Sequence, residues 1–220
     1  RPGRDLALYS ENATRGAHLR QGEARNGALG LTLHTARVTV AQTLSESPRV
    51  ESFFYRNGEL YCEGTPLRVI ADAVGTPTYV YSRRAVLESF SAYHRALASV
   101  PHVICYSMKA NGNLAILALL ARAGSGVDVL SGGELFRALT AGVDPKKVVF
   151  AGVGKEPAEM REALKAGILM FNVESSAELR QLDRVAQELG LRAPVALRVN
   201  PDVDPETHPY ISTGLKSSKF

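Results

Sequence analysis

Residues 103 to 111 read Val103-Ile-Cys-Tyr-Ser-Met-Lys-Ala-Asn111, a short apolar run that ends in a lysine. An apolar run of this length followed by turn residues predicts a buried β-strand, with Lys109 at its carboxyl end. Because side chains alternate between the two faces of a strand, Cys105, Ser107 and Lys109 are expected to share one face. That face turns polar toward the carboxyl end of the strand.

The same pattern recurs along the chain. Further strands are predicted to begin near residues 126, 147, 168 and 194, with an amphipathic helix after each strand but the last. Ser175-x-x-Glu178 is a capping box that predicts a helix start, and Gly190 is expected to end that helix. Repeated β/α units allow a doubly wound sheet or a (β/α)₈ barrel, and the polar strand ends favour the barrel. We therefore predict an α/β fold.

Four polar residues are predicted to converge where these strands end, namely Lys109, Asp128, Asn172 and Arg198. Barrel enzymes place their chemistry at the carboxyl ends of the strands. A lysine that is partly desolvated at a barrel mouth has a lowered amine pKa, so the neutral amine that attacks an aldehyde becomes available. We expect Lys109 to be that reactive residue.

Before the repeats, the chain is expected to contain two other parts. Residues 1–48 lack a lasting helical or strand period and predict a disordered extension. Residues 49–81 predict a β segment, with a hairpin around Asn57-Gly58 and a further strand at Pro77 to Tyr81. A short helix is expected from about Pro66 to Val74.

Residues 82–220 are then expected to form the barrel domain, beginning with a helix capped by Ser82. About five of the eight barrel strands are predicted within this range. The expected fold class is therefore a partial (β/α)₈ barrel preceded by a β-hairpin and a strand.

Composition excludes several classes of protein. The 220 residues are 45% hydrophobic and 22% charged, as in soluble globular chains, and no apolar run is long enough to span a membrane. The net charge of +4 comes largely from arginines near the amino terminus, which is a local bias and not a nucleic-acid surface. Cys62 and Cys105 have no metal-ligand spacing, so we expect reduced thiols and no metal. We predict a cytoplasmic location.

Two glycine-containing segments invite comparison with phosphate-binding loops. Ser131-Gly-Gly-Glu134 could cradle a phosphate, but it also has the spacing of a capping box, which we favour. Gly152-Val-Gly-Lys155 lacks the spaced first glycine and the hydroxyl residue of a nucleotide-binding loop. We expect a plain loop there.

His208 lies among prolines in a predicted loop, and we expect it to have only a minor role in catalysis.

Tyr106-Ser-Met-Lys-Ala-Asn111 closely resembles the Tyr-x-x-Lys-Ala-Asn motif of pyridoxal-phosphate-dependent decarboxylases with the alanine-racemase fold. Other stretches resemble the diaminopimelate decarboxylase family in order and spacing, over about residues 53 to 220. They are Phe54-Tyr-Arg-Asn-Gly-Glu-Leu-Tyr61, Gly126-Val-Asp-Val-Leu-Ser-Gly-Gly-Glu-Leu135, Gly167-Ile-Leu-Met-Phe-Asn-Val-Glu-Ser175, Leu197-Arg-Val-Asn-Pro-Asp202 and Thr207-His-Pro-Tyr-Ile-Ser-Thr-Gly-Leu-Lys216. The last is more similar to this family than to ornithine or arginine decarboxylases.

The resemblance implies that pyridoxal phosphate is the cofactor and that Lys109 holds it. It also implies that Asp128 lies near the lysine and Arg198 near the ring face of the cofactor. The hairpin and strand of residues 49–81 would belong to the second, β-type domain of such decarboxylases. The implied substrate is meso-diaminopimelate, the product is L-lysine, and the active sites form across a homodimer interface. Since later family motifs are missing from residues 1–220, we expect the chain to be a fragment with little or no activity of its own.

Two alternatives stay open at this point. One is another decarboxylase of the same fold, acting on ornithine, arginine or carboxynorspermidine. The other is a non-catalytic pyridoxal-phosphate-binding protein built from a single barrel, which also has a lysine at a strand end.

Overall fold

The computed structural model describes residues 6–9 and 51–203. The extension predicted over residues 1–48 therefore lies outside the described residues, apart from Leu6–Tyr9, which form a short strand, β1. His208 and the stretch from Thr207 to Lys216 also lie outside them. The described chain divides into two compact units, one ending at His102 and the other beginning at Val103, with β1 at the edge of the second unit's sheet.

The first unit contains a three-stranded antiparallel sheet formed by β2 (Phe53–Arg56), β3 (Glu59–Cys62) and β4 (Thr65–Pro66). Asn57 and Gly58 join the first two strands with φ angles of 52° and 79°. Tight hairpin turns of this kind need positive φ at both central residues, which asparagine and glycine tolerate best. The predicted hairpin is confirmed.

Two helices follow in this unit, α1 (Leu67–Val74) and α2 (Arg83–Ala96). The Ser82 hydroxyl oxygen accepts a hydrogen bond from the Ala85 N–H at 3.0 Å, so the predicted cap of α2 is confirmed. In the structure α2 groups with the hairpin, whereas we expected a domain boundary just before Ser82. That boundary stays a prediction.

The strand predicted at Pro77 to Tyr81 is wrong. Residues 77–81 have no regular secondary structure, and the Tyr79 and Tyr81 side chains are exposed. The β-propensity of the segment is real, but a strand also needs a neighbour to complete its hydrogen bonds. No described strand lies beside these residues to provide them.

The second unit alternates parallel strands with helices. The strands are β5 (Val103–Ser107), β6 (Gly126–Val129), β7 (Val148–Phe150), β8 (Met170–Val173) and β9 (Val195–Leu197). The helices are α3 (Leu114–Arg122), α4 (Gly132–Thr140), α5 (Pro157–Ala166) and α6 (Ser176–Leu189), with 3₁₀ turns at Met108–Ala110 and Pro145–Lys147. The predicted repeats are confirmed.

Strand order distinguishes the two architectures that the sequence allowed. From β5 to β9 each strand pairs in parallel with the next strand along the chain. A doubly wound sheet reverses its order at a switch point, whereas a (β/α)₈ barrel adds its strands in sequence. The described sheet is therefore part of a barrel.

One face of this sheet packs against the helices to form the hydrophobic core. Strand residues of this face include Val127, Val129, Val148, Phe150 and Phe171, all of them buried. The rings of Phe150 and Phe171 stack with centroids 5.9 Å apart. Helix residues packed in the same core are Leu117, Leu135, Met160, Leu182 and Val185.

The opposite face carries the residues that alternate with the core positions. Ser107 of β5 lies beside Asp128 of β6, and Asp128 lies beside Val149 of β7. Asn172 of β8 lies beside Ala196 of β9 on the same face. The expected alternation is confirmed within the strands, and it brings Ser107, Asp128 and Asn172 to one side of the sheet.

The packing of Phe150 yields a stability prediction. Phe150→Ala should lower the free energy of unfolding by about 3–5 kcal/mol, because it removes a fully buried ring and leaves a cavity. Urea titration measures this change. Phe136→Ala is the matched control: that ring is 70% exposed, and its removal should change stability by no more than about 0.5 kcal/mol. Equal losses in the two variants would contradict this account of the core.

Candidate functional site

Lys109 lies on the 3₁₀ turn that follows β5, and its side chain is exposed. We expected it on the strand face and partly desolvated, and on both points the structure differs. The strand ends at Ser107, and the chain continues as a 3₁₀ turn in which Met108 is buried in the hydrophobic core. Lys109 thus lies at the carboxyl edge of the sheet, just past the strand.

Hydrogen bonds fix the backbone that follows Lys109. The Arg137 guanidinium donates two of them to the Gly112 carbonyl oxygen, at 2.7 Å from Nη2 and 3.1 Å from Nε. The Tyr106 hydroxyl donates to the Asn111 carbonyl oxygen at 3.3 Å. The Asn113 side chain accepts from the Ala115 N–H and so caps α3. The turn that carries Lys109 is therefore held at several points.

Asp128 lies at the carboxyl end of β6, beside Ser107. Its Oδ2 accepts a hydrogen bond from the Ser107 hydroxyl at 3.4 Å. Its Oδ1 is buried and has no hydrogen-bond partner among the residues that the structure describes. A buried acceptor without a partner destabilises the folded state. In native proteins such an atom indicates a place where a ligand or another side chain can provide the missing hydrogen bond.

The groups around Asp128 have opposing effects on its pKa. Burial raises the pKa of this carboxyl group, and the positive charge of Lys109 together with the Ser107 hydrogen bond lowers it. The negative charges of Glu134 and Glu174 raise it again. Lys109 and Asp128 are thus within electrostatic reach of each other.

Arg198 follows β9 at the same edge of the sheet, and its side chain is 42% exposed. Its backbone N–H donates to the Val173 carbonyl oxygen at 2.9 Å, which continues the ladder beyond the strand. Its guanidinium Nη1 lies 3.5 Å from Oε2 of Glu174, a residue that we had not singled out from the sequence. A glutamate directly after the apolar strand Met170–Val173 was the available signal.

Lys155 was also missed. The predicted plain loop is confirmed, but the lysine that ends it has a fully buried side chain, 0% exposed. Its Nζ donates to the carbonyl oxygens of Gly152 and Asn172 at 2.6 and 2.8 Å, and to Oε1 of Glu178 at 2.6 Å. These bonds satisfy all three donors of the ammonium group. They fix the loop to β8 and to the start of α6.

The Ser131-Gly-Gly-Glu134 segment is a helix cap, as predicted. The Ser131 hydroxyl accepts from the Glu134 N–H at 3.2 Å, and Glu134 Oε2 accepts from the Leu130 N–H at 2.7 Å. The Gly132 N–H donates to Oε1 of Glu159 at 2.6 Å. Protein side chains thus occupy three N–H groups that a phosphate cradle would need.

The remaining reactive residue types have structural explanations. Cys105 is buried, and desolvation raises its pKa to about 12, so its thiol is protonated and inert. His94 and His102 contact each other, with Nδ1 and Nε2 separated by 2.9 Å. Within the described ranges no cluster of His, Cys, Asp or Glu could hold a metal ion, and no helix is long and apolar enough to cross a membrane.

Comparison with known proteins identifies the family. The profile described as "Pyridoxal-dependent decarboxylase, pyridoxal binding domain" matches residues 83–220. This chain belongs to the pyridoxal-dependent decarboxylases. The partial barrel is the fold that membership implies, and pyridoxal phosphate is the family's cofactor.

Two of the similar proteins are diaminopimelate decarboxylases from bacteria. The one from Pseudomonas aeruginosa is 58% identical over 171 residues, which cover 78% of this chain and 41% of the relative. The one from Aquifex aeolicus is 51% identical over 76% of this chain and 39% of its own length. The chain thus spans about two fifths of the length of these relatives.

Solved structures agree with this assignment. A diaminopimelate decarboxylase from Helicobacter pylori, complexed with L-lysine, has a TM-score of 0.67 and 46% identity over 70% of this chain and 39% of its own. One from M. jannaschii, also in complex with L-lysine, has a TM-score of 0.71 and 40% identity over 77% of this chain and 41% of its own.

The residues at this edge fit pyridoxal phosphate. The cofactor's aldehyde requires an accessible lysine amine, which the exposed Lys109 offers at a backbone position fixed by its neighbours. Asp128 Oδ1 is a buried acceptor ready for a proton donor at the same place. Arg198 adds a planar cation that can lie against an aromatic ring.

The raised pKa of Asp128 predicts how stability depends on pH. A carboxyl group with a higher pKa in the folded state is ionised more readily in the unfolded chain, which lowers the free energy of unfolding. This destabilisation is absent below the unfolded pKa of about 4 and grows as the pH rises toward the folded-state pKa. Asp128→Asn should therefore make the cofactor-free protein more stable at pH 7. The gain should vanish as the pH falls toward about 4.

Urea unfolding at several pH values measures this difference. Asp72→Asn is the control, because that carboxylate is 70% exposed and its replacement should leave the pH profile almost unchanged. A variant Asp128→Asn that is less stable than wild type at pH 7 would show that ionised Asp128 stabilises the fold.

Proposed function

We propose that the protein containing this chain removes one carboxyl group from meso-2,6-diaminopimelate to give L-lysine, with Lys109 binding pyridoxal phosphate. The observation that carries the proposal is the position of Lys109 at the carboxyl edge of β5, on a held turn and within electrostatic reach of Asp128. The names of the relatives from Pseudomonas aeruginosa and Aquifex aeolicus support the choice of substrate. Because the chain spans about two fifths of their length, the activity is proposed for the complete protein.

Each residue of the site has a distinct role in this proposal. Bound pyridoxal phosphate supplies the electron sink into which decarboxylation proceeds. Lys109 Nζ would hold the cofactor through its aldehyde group and would be available to hold and return a proton. Asp128, whose Oδ1 is buried and has no hydrogen-bond partner among the described residues, would accept a hydrogen bond from that amine. Arg198 would lie near the ring face of the cofactor and help to orient it.

The same proposal covers the partners of the protein. We propose a cytoplasmic homodimer that binds an amino-acid substrate. The resemblance of residues 53 to 220 to two-domain decarboxylases supports the dimer. The modest net charge of +4 supports the absence of a nucleic-acid partner.

Covalent labelling tests the role of Lys109. The complete protein loaded with pyridoxal phosphate should, after borohydride reduction and digestion, carry the cofactor on the peptide that contains Lys109. Lys109→Ala should abolish the label and lower turnover by at least about a thousandfold, since the nucleophile is lost. Lys165→Ala, which changes an exposed lysine on α5, should keep both. A label on another lysine would contradict the assignment.

Product identification tests the substrate. The complete protein should release carbon dioxide and L-lysine from meso-diaminopimelate, and it should turn over ornithine, arginine and carboxynorspermidine at least about a hundredfold more slowly in kcat/KM. Mass spectrometry of the products and a carbon dioxide assay measure both. Preference for one of the other amino acids would support the rival decarboxylase. Labelling at Lys109 without any turnover would support a non-catalytic binding protein.

A further inference from the structure

Glu174 is a buried acid that cofactor binding does not by itself explain. It follows β8 directly, and its side chain is only 2% exposed. Removing a carboxylate from water is expensive unless hydrogen bonds or a counter-charge compensate it. Glu174 lies at the same edge of the sheet as Lys109, Asp128 and Arg198. The contacts of its carboxylate explain why it is buried there.

Its two oxygens contact different parts of the molecule. Oε1 accepts a hydrogen bond from the Gly152 N–H at 2.8 Å, in the loop after β7. Oε2 lies 3.5 Å from Nη1 of Arg198, beyond the end of β9. Glu174 therefore links the Arg198 guanidinium to a loop two strands away.

The backbone of Glu174 is itself held in place. Its N–H donates to Oε2 of Glu178 at 3.0 Å, and Oε1 of Glu178 accepts from the buried Lys155 ammonium at 2.6 Å. Lys155 also donates to the carbonyl oxygens of Gly152 and Asn172. Glu174 is thus a rigid acceptor, since both its main chain and one carboxylate oxygen are fixed.

The long side chain of Arg198 is 42% exposed, and Glu174 contacts its guanidinium from the buried side. A flexible arginine binds a ligand more weakly than one that is already held in the bound orientation, since ordering it costs entropy on binding. We propose that Glu174 is a positioning residue: it holds the Arg198 guanidinium in the orientation that receives pyridoxal phosphate. This inference rests on the cofactor role of Arg198 proposed above.

The substitution Glu174→Gln separates the two contacts of the side chain. The glutamine carbonyl oxygen can still accept from the Gly152 N–H. Its amide nitrogen would then face Arg198, where it offers donors to a group that has only donors. The variant keeps the loop contact and removes the one to the guanidinium.

A double-mutant cycle on cofactor affinity tests the inference in the complete protein. The cofactor-free forms of wild type, Glu174→Gln, Arg198→Ala and the double variant are titrated with pyridoxal phosphate and followed by absorbance. Glu174→Gln should weaken binding about tenfold in the wild-type background and less than about twofold in the Arg198→Ala background. The absorbance spectrum of bound cofactor in Glu174→Gln should also shift toward that of Arg198→Ala.

Controls keep the outcomes distinct. Glu162→Gln changes an exposed glutamate on α5 that pairs with Lys165, and its affinity should equal that of wild type. Circular dichroism checks folding. If Glu174→Gln does not fold, Glu174→Asp takes its place in the cycle, because it keeps the charge and draws the carboxylate back from Arg198 by one methylene.

Equal losses of affinity in both backgrounds would overturn the inference, because Glu174 would then act through Gly152 or through the fold. Unchanged affinity in the variant of Glu174 would overturn it as well. If wild type itself does not bind pyridoxal phosphate, the proposed function fails first, and the titration of wild type alone shows it.

Discussion

Burial on both faces of a parallel strand is the constraint on which the rest of the structure depends. Side chains alternate, so Val127, Val129 and Phe150 fill the core against the helices while Asp128 and Val149 take the opposite face. A charged side chain is tolerated in such a strand only near the strand's end, where the side chain can reach water or a hydrogen-bonding partner. This is why Lys109, Asp128, Glu174 and Arg198 lie at the carboxyl edge of the sheet, at the ends of β5, β6, β8 and β9.

The helix caps connect this constraint to the electrostatics of the site. Each β/α turn leaves backbone N–H groups that need acceptors, and glutamates provide them at the starts of α4 and α6. Glu134, which accepts from the Leu130 N–H, also raises the pKa of Asp128. The glutamates that cap these helices therefore add negative potential at the strand ends. Such a potential favours cations such as Lys109 and Arg198 at the same edge.

The sequence patterns predicted the features that depend on residues close together along the chain. The Asn57-Gly58 hairpin, the Ser82 and Ser175 caps and the five strand positions follow from local periodicity and turn chemistry. The roles of Glu174 and Lys155 depend on partners that lie 22 to 24 residues away. The end of β5 at Ser107, which leaves Lys109 on an exposed 3₁₀ turn, was not predicted by local alternation. Such contacts are fixed by tertiary packing.

Groups from several β/α turns act on the carboxyl group of Asp128. The lysine charge lowers the pKa of the aspartate against burial and against the two glutamates that raise it. Replacing Lys109 with a neutral side chain removes that opposition and should raise the pKa of Asp128 further. The protonation of Asp128 is therefore decided jointly by its burial and by charges from several β/α turns, which local sequence alone does not bring together.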